Sequence, residues 1–253
     1  MPKIDIDTSK IYNEKYYYPN TKWRLPEKNF VKLNERYSFD LEKMKNEVNK
    51  LRTEFGFEPF KISKSGKKRM SYLGIGLTAR PNAEIPLYDA LDLFSKNEAL
   101  DISSTFKKMA SNGDIEELHE KNFSEYTPAY RGYLKETIDK FRSLKTKIRI
   151  LDLKRNGIIT PHVDFPYYKQ IRVHAVIESN NNTWWEVAGE RFQIPADGNF
   201  YWFDTGKTHA VWNDGISNRT VLSVNLSIYE DRNYNQILSE NNNLIHMLEA
   251  GLV

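Results

Sequence analysis

The stretch from Lys147 to Tyr229, KIRILDLKRNGIITPHVDFPYYKQIRVHAVIESNNNTWWEVAGERFQIPADGNFYWFDTGKTHAVWNDGISNRTVLSVNLSIY, decides the fold. It breaks into eight short runs rich in β-branched and aromatic residues: Lys147–Leu153, Ile158–Val163, Ile171–Glu178, Thr183–Val187, Glu190–Ile194, Asn199–Asp204, His209–Asn213 and Arg219–Ile228. Between them stand turn-forming clusters: Asn156-Gly157, Asn180-Asn181-Asn182, Ala188-Gly189, Asp197-Gly198, Thr205-Gly206 and Asp214-Gly215. Eight strands so closely spaced predict a mainly β architecture with flanking α-helices, a double-stranded β-helix or jelly roll.

Outward from this core the pattern changes. Ser38 is placed to cap a helix over Phe39 to Phe55, with Leu41, Met44, Val48 and Leu51 at helical spacing. A second helix is expected from Pro128 to Leu144, where Tyr130, Leu134, Ile138 and Phe141 share a face and Pro128 suits a first turn. Met70 to Thr78 reads as a strand, and Tyr234 to Leu248 as a last amphipathic helix. No repeat or Pro/Gly-rich linker divides the chain. The expectation is one domain over 1–253, with a helical and mixed part to 145, a jelly-roll core over 146–230 and a C-terminal helix over 231–253.

Composition narrows the function classes. The 253 residues carry 37 basic and 34 acidic side chains, a net charge of +3, so no nucleic-acid partner is expected. The densest cationic cluster, Lys64, Lys67, Lys68 and Arg69, reads as a solvated loop. The chain has no cysteine, which excludes disulfides, zinc–thiolate sites, iron–sulfur clusters and thiol nucleophiles. Met1-Pro2-Lys3-Ile4-Asp5 lacks the features of a signal peptide, and no apolar run approaches the roughly 20 residues that span a bilayer. A cytoplasmic protein without a membrane partner is expected, its oligomeric state left open.

Within the β-rich stretch, His162-x-Asp164 is followed by His209, 45 residues beyond the aspartate, and by Arg219 ten residues later. Residues i and i+2 of a strand face the same side, so His162 and Asp164 can present an imidazole and a carboxylate to one point. Two imidazoles and one carboxylate form the set that binds Fe(II) on one face and leaves positions open; zinc can take the same ligands. A His-x-Asp alone is weak evidence, since such a histidine is more often a satisfied polar residue. The second histidine, the strand context and the arginine strengthen it together.

Arg219, Val221, Ser223 and Asn225 share one strand face, opposite the apolar Leu222, Val224 and Leu226. A guanidinium turned into a barrel is costly unless an anion lies beside it, and its fork suits the distal carboxylate of 2-oxoglutarate. Arg172 and His174 form a second inward pair, for a co-substrate carboxylate or one of the prime substrate; a buried polar network without ligand contact is the bland alternative. Arg80, Tyr168, Trp202 and Trp212 are candidates for substrate contact. Aromatic residues of this kind more often serve as core.

Pro161-His162-Val163-Asp164, Arg172-Val173-His174, His209-Ala210-Val211-Trp212-Asn213 and Arg219 together resemble the aspartyl/asparaginyl β-hydroxylase family of 2-oxoglutarate oxygenases. The resemblance spans about Lys147 to Tyr229 and implies that His162, Asp164 and His209 bind iron. It also implies that Arg172, His174 and Arg219 contact 2-oxoglutarate, with Arg219 taking the distal carboxylate. The animal enzyme that names the family lacks a carboxylate at the position of Asp164. The chain looks more like small microbial members, which include free-proline hydroxylases, and Asp164 argues against halogenation. The activity implied is an Fe(II)-, O2- and 2-oxoglutarate-dependent hydroxylation of a small amino-acid-like substrate or a peptidyl side chain. The alternatives are a non-catalytic jelly-roll binding protein and a cupin-type metal enzyme that does not use 2-oxoglutarate.

Overall fold

The computed structural model describes residues 29–61, 68–91, 120–141, 143–162, 164 and 171–227. Early elements are β1 (Phe30–Lys32), α1 (Leu41–Phe55), β2 (Glu58–Lys61), β3 (Lys68–Gly76), β4 (Thr78–Ala79), the short α2 (Pro86–Asp89), β5 (Glu125–Tyr126) and α3 (Gly132–Ile138). The later part is all strand: β6 (Leu144–Leu153), β7 (Gly157–His162), β8 (Ile171–Glu178), β9 (Thr183–Val187), β10 (Glu190–Phe192), β11 (Phe200–Phe203), β12 (His209–Asn213) and β13 (Arg219–Ser227). All eight expected runs are therefore strands.

Two antiparallel sheets face each other. One has seven strands in the order β1-β11-β8-β13-β6-β3-β2, the other four in the order β10-β9-β12-β7, and β4 and β5 form a small ribbon. Consecutive strands from β6 to β9 alternate between the large sheets, as do β10 to β13, which winds the chain into a jelly roll. Period-two alternation then sorts most of the core side chains, interrupted at bulges such as that between Ser223 and Asn225. Leu151, Leu153, Val176, Tyr201, Phe203 and Val221 of the larger sheet meet Trp185, Val187, Phe192 and Val211 of the smaller one inside the roll. The opposite parity, with Ile150, Val173, Ala175, Trp202, Leu222 and Val224, lies on the outer face beneath the helices.

Met44, Val48 and Leu51 of α1 and Leu134 and Ile138 of α3 close that outer layer. Burial of each such side chain contributes about 2 kcal/mol. The helix boundaries differ from expectation. Asp40, not Ser38, caps α1, accepting hydrogen bonds from the backbone N–H groups of Glu42 and Lys43. Phe39 is held out of the helix because its N–H donates to the carbonyl of Gly198. The second helix is much shorter than Pro128–Leu144. Arg131 is extended and Gly132 has φ +55°, which separates Pro128 from the helical turns, and Leu144 already opens β6. Tyr130, Leu134, Ile138 and Phe141 are nonetheless all buried, as their spacing implied. Lys68 and Arg69 belong to β3 and not to a loop, and the expected 231–253 helix lies outside the described residues. Among the described residues no helix is long and apolar enough to cross a membrane.

Candidate metal centre

β7 ends on His162 and Asp164 follows two residues later, its N–H donating to the carbonyl of Thr205 at 2.9 Å. β12 runs antiparallel to β7 and begins on His209, directly opposite His162. One donor atom from each of the three side chains lies within 4.8 Å of the others. His162 Nε2 is 3.7 Å from Asp164 Oδ1, and His209 Nε2 is 3.6 Å from Asp164 Oδ2. The sheet register thus brings together the three residues that the sequence singled out.

Both imidazoles are oriented by the backbone. His162 Nδ1 lies 2.7 Å from the carbonyl of Thr160, and His209 Nδ1 lies 3.0 Å from that of Lys207. A carbonyl can only accept, so each Nδ1 carries a proton and each Nε2 is the ring nitrogen turned toward Asp164. Burial first, then the neighbouring His162, pushes His209 down to about 3, so it is the neutral ligand form. Burial alone would raise Asp164; Arg172, then His209 and His162, hold it below the usual carboxylate range. Two imidazoles and one ionised carboxylate on one side of a common point fit a divalent first-row metal.

Arg172 reaches this point from β8. Its Nη1 donates to Asp164, its Nη2 to Glu120 at 2.5 Å and its Nε to Asn225 at 2.8 Å. Glu120 is a functional residue that the sequence did not disclose. It sits on a 3-10 turn, Glu120–Asn122, and is 4% exposed. It also accepts from Lys147 Nζ at 2.7 Å and from Asn225 Nδ2 at 2.6 Å. Burial would raise its pKa, but Arg172, Lys147 and Arg149 hold it well below the usual value. A lone acidic residue in a charged N-terminal segment carries no local mark of such a role.

Farther from the metal point, several buried side-chain nitrogens lack partners. His174 stacks on Phe203 with centroids 4.5 Å apart, and its Nδ1 is unpaired. Burial first, then Arg172 and Arg219, keep it neutral. Arg219 is 1% exposed, with Nε and Nη1 unpaired and its Cζ 4.1 Å over the Trp185 ring. Burial lowers its pKa to about 10. Such orphaned nitrogens on a buried cation are what a site for an absent anion looks like.

Other candidates fall elsewhere. Trp202 is buried on the outer face of β11, because its neighbour Phe203 takes the interior parity. Trp212 alternates with the inward Val211 and stands on the outer face of β12, with Arg191 Cζ 5.0 Å over its ring. Neither lines the roll. Arg80 is engaged by Asp89 at 2.5 Å and lies over Phe123. Tyr168 lies outside the described residues.

A jelly roll with a histidine–aspartate–histidine group inside one end defines a metal-dependent enzyme class. A family model described as aspartyl/asparaginyl β-hydroxylase matches residues 91–227, more than half of the chain. The chain belongs to that family and is a 2-oxoglutarate-dependent hydroxylase. No curated protein matches the sequence. Among solved structures it is similar to a Pseudomonas putida prolyl-4-hydroxylase, at 10% identity and a TM-score of 0.43, covering 79% of this chain and 94% of that one. It is also similar to a 2OG-Fe(II) oxygenase family oxidoreductase from Burkholderia pseudomallei, at 14% identity and a TM-score of 0.42, covering 79% and 86%.

Proposed function

We propose that this chain is an Fe(II)- and 2-oxoglutarate-dependent dioxygenase that hydroxylates an unactivated C–H bond of a small amino-acid-like substrate or a peptidyl side chain. The observation that carries the reading is the convergence of His162, Asp164 and His209, each imidazole presenting Nε2. These three would hold the iron. Arg219 and His174, with buried nitrogens lacking partners, would hold the co-substrate, Arg219 at its distal carboxylate. Arg172 contributes through Asp164, fixing the ligand carboxylate, and lends positive charge to the same end of the roll.

When bound, iron, 2-oxoglutarate and O2 supply the oxidising power, yielding succinate and CO2 with the hydroxylated product. The chain's own part is orientation and exclusion of water. Phe203, Trp185 and Val211 wall the space between the histidines and Arg219 with apolar surface. The uncompensated charge of Arg219 favours this reading over a cupin-type enzyme without an acidic co-substrate.

Anaerobic titration with Fe(II) and then 2-oxoglutarate tests the proposal. The expected result is a weak visible charge-transfer band near roughly 500–530 nm from the metal-bound oxo acid. A non-catalytic binding protein shows none. Substrate class follows from succinate release on a panel of free amino acids and short peptides.

A further inference from the structure

Residues 204–208, between β11 and β12, make a turn that grips two of the three metal ligands. The carbonyl of Thr205 accepts from the N–H of Asp164 at 2.9 Å, and the carbonyl of Lys207 lies 3.0 Å from His209 Nδ1. A third carbonyl, that of Thr208, accepts from the N–H of Ala188 at 2.9 Å. His162 differs, because its Nδ1 is held by Thr160 of its own strand. Asp164 therefore takes its backbone position, and His209 its ring orientation, from wherever this turn lies. A displaced turn would carry both donors away from the point that His162 faces.

The turn is fixed from within and from far along the chain. Asp204 Oδ1 accepts from the N–H of Gly206 at 3.1 Å, and the Asp204 carbonyl accepts from the N–H of Lys207 at 3.2 Å. Asn29 lies 175 residues before Asp204 in the sequence. Its carbonyl accepts from the N–H of Asp204 at 3.1 Å, and its Oδ1 accepts from Lys207 Nζ at 2.9 Å. The Asn29 Nδ2 donates to Glu190 Oε2 at 2.6 Å, which ties the same side chain to β10. Lys207 Nζ also stands 3.5 Å from Asp204 Oδ2, an oxygen without a hydrogen-bond partner on a residue 1% exposed. A buried carboxylate is costly without a cation, so the Lys207 ammonium holds the turn closed while it holds Asn29. Turn chemistry alone suffices to join two strands over so short a connection. The buried carboxylate, the ammonium and the distant amide add rigidity where two carbonyls must stay at fixed points.

We propose that Asn29 and Lys207, anchored on the Asp204 carboxylate, are positioning residues for the metal centre. They fix the carbonyls of Thr205 and Lys207, and through them the place of Asp164 and the Nδ1–H tautomer of His209. The inference rests on the metal-centre reading above and extends it to side chains that do not themselves face the metal point.

The test reads the site with and without metal. Co(II) is titrated into the full chain, with affinity taken from calorimetry and geometry from the d–d absorption. Nitrogen-15 NMR of the metal-free, histidine-labelled protein reports which ring nitrogen of each imidazole carries the proton. Lys207→Met and Asn29→Ala should each weaken Co(II) binding by about tenfold or more and shift the d–d bands. In the metal-free protein each should move His209 toward the Nε2–H tautomer and leave His162 unchanged. Lys207→Arg, which keeps a cation at similar reach, should stay near wild type in all three readouts. If Lys207→Met does not fold, Asn29→Ala decides, because Asn29 is half-buried and the variant keeps the carbonyl that receives Asp204. Variants that lose stability in urea yet keep affinity, spectrum and tautomer have a structural role only and overturn the proposal. So do equal changes at His162 and His209, which mark general loosening, or a loss in Lys207→Arg as large as in Lys207→Met, which marks packing. A wild-type chain that does not bind Co(II) sinks the metal-centre reading itself. Wild-type binding that these variants leave intact sinks this inference alone.

Discussion

Replacing Arg219 with Met should make the ligand-free protein more stable while removing its affinity for 2-oxoglutarate. The side chain is fully buried and stays charged at neutral pH, although burial has brought its pKa down to about 10. That depression corresponds to a folding penalty on the order of 3 kcal/mol. The sign follows from linkage: a base whose folded pKa lies below its unfolded one destabilises the fold at every pH below the folded value, and the penalty eases only above about pH 10. Methionine removes the penalty but loses the stacking of the guanidinium on Trp185, worth about 2 kcal/mol when desolvated, and partly replaces it with a sulfur–ring contact. A net gain of about 1–3 kcal/mol remains, or roughly 2–10 °C in Tm for a chain of this size. Thermal and urea unfolding of the metal-free proteins between about pH 6 and 9 measure it. Adding 2-oxoglutarate with Fe(II) at about 100 times Kd should then raise wild-type stability by about 2.7 kcal/mol and leave the variant nearly unmoved. A ligand-free Arg219→Met protein that folds normally yet melts below wild type would refute the reasoning, since the guanidinium would then be compensated by the protein itself.

Other substitutions probe separate links. Glu120→Gln should weaken metal binding by about 10–100-fold and alter the d–d spectrum of the Co(II)-substituted protein, because Arg172 loses the anion that fixes it on Asp164. The same variant should lose about 3 kcal/mol of stability at neutral pH. The Glu120 carboxylate has a depressed pKa, so its contribution is present above the ordinary carboxylate pKa and is lost as pH falls through the folded value. The acid limb of a stability–pH profile should consequently be shallower in Glu120→Gln. His162→Ala or His209→Ala should abolish substrate-dependent succinate formation and bound metal measured by elemental analysis; retained turnover would remove them as ligands. Gly198→Ala should cost about 1–3 kcal/mol in urea unfolding, since φ is +75° and a Cβ would stand 2.5 Å from the carbonyl oxygen of Phe39.

The strands from β6 to β13 were legible because their signals are local. Alternation of side chains and Asn-Gly, Asp-Gly or Ala-Gly turns act within a few residues, and the structure keeps Ile171–Glu178, Thr183–Val187 and His209–Asn213 unchanged. Local signals also existed for a tryptophan that the structure places on an outer face. Trp212 alternates with His209, Val211 and Asn213, and so belonged outside the roll from the start. Helix ends were less legible, since Phe39 is withheld from α1 by a hydrogen bond to Gly198, 159 residues away in sequence.

For the site, the sequence by itself determined which donors could meet: His162 and Asp164 by strand parity, His209 and Arg219 as later members of a jelly roll. That much follows from covalent geometry and the period of an extended chain. Only the tertiary structure decided that β12 lies against β7 with His209 facing His162, that Glu120 arrives from the N-terminal part to hold Arg172, and that Asn29 meets Lys207. Those relations depend on strand register and long-range packing, energies summed over a whole sheet, which no short window of residues contains.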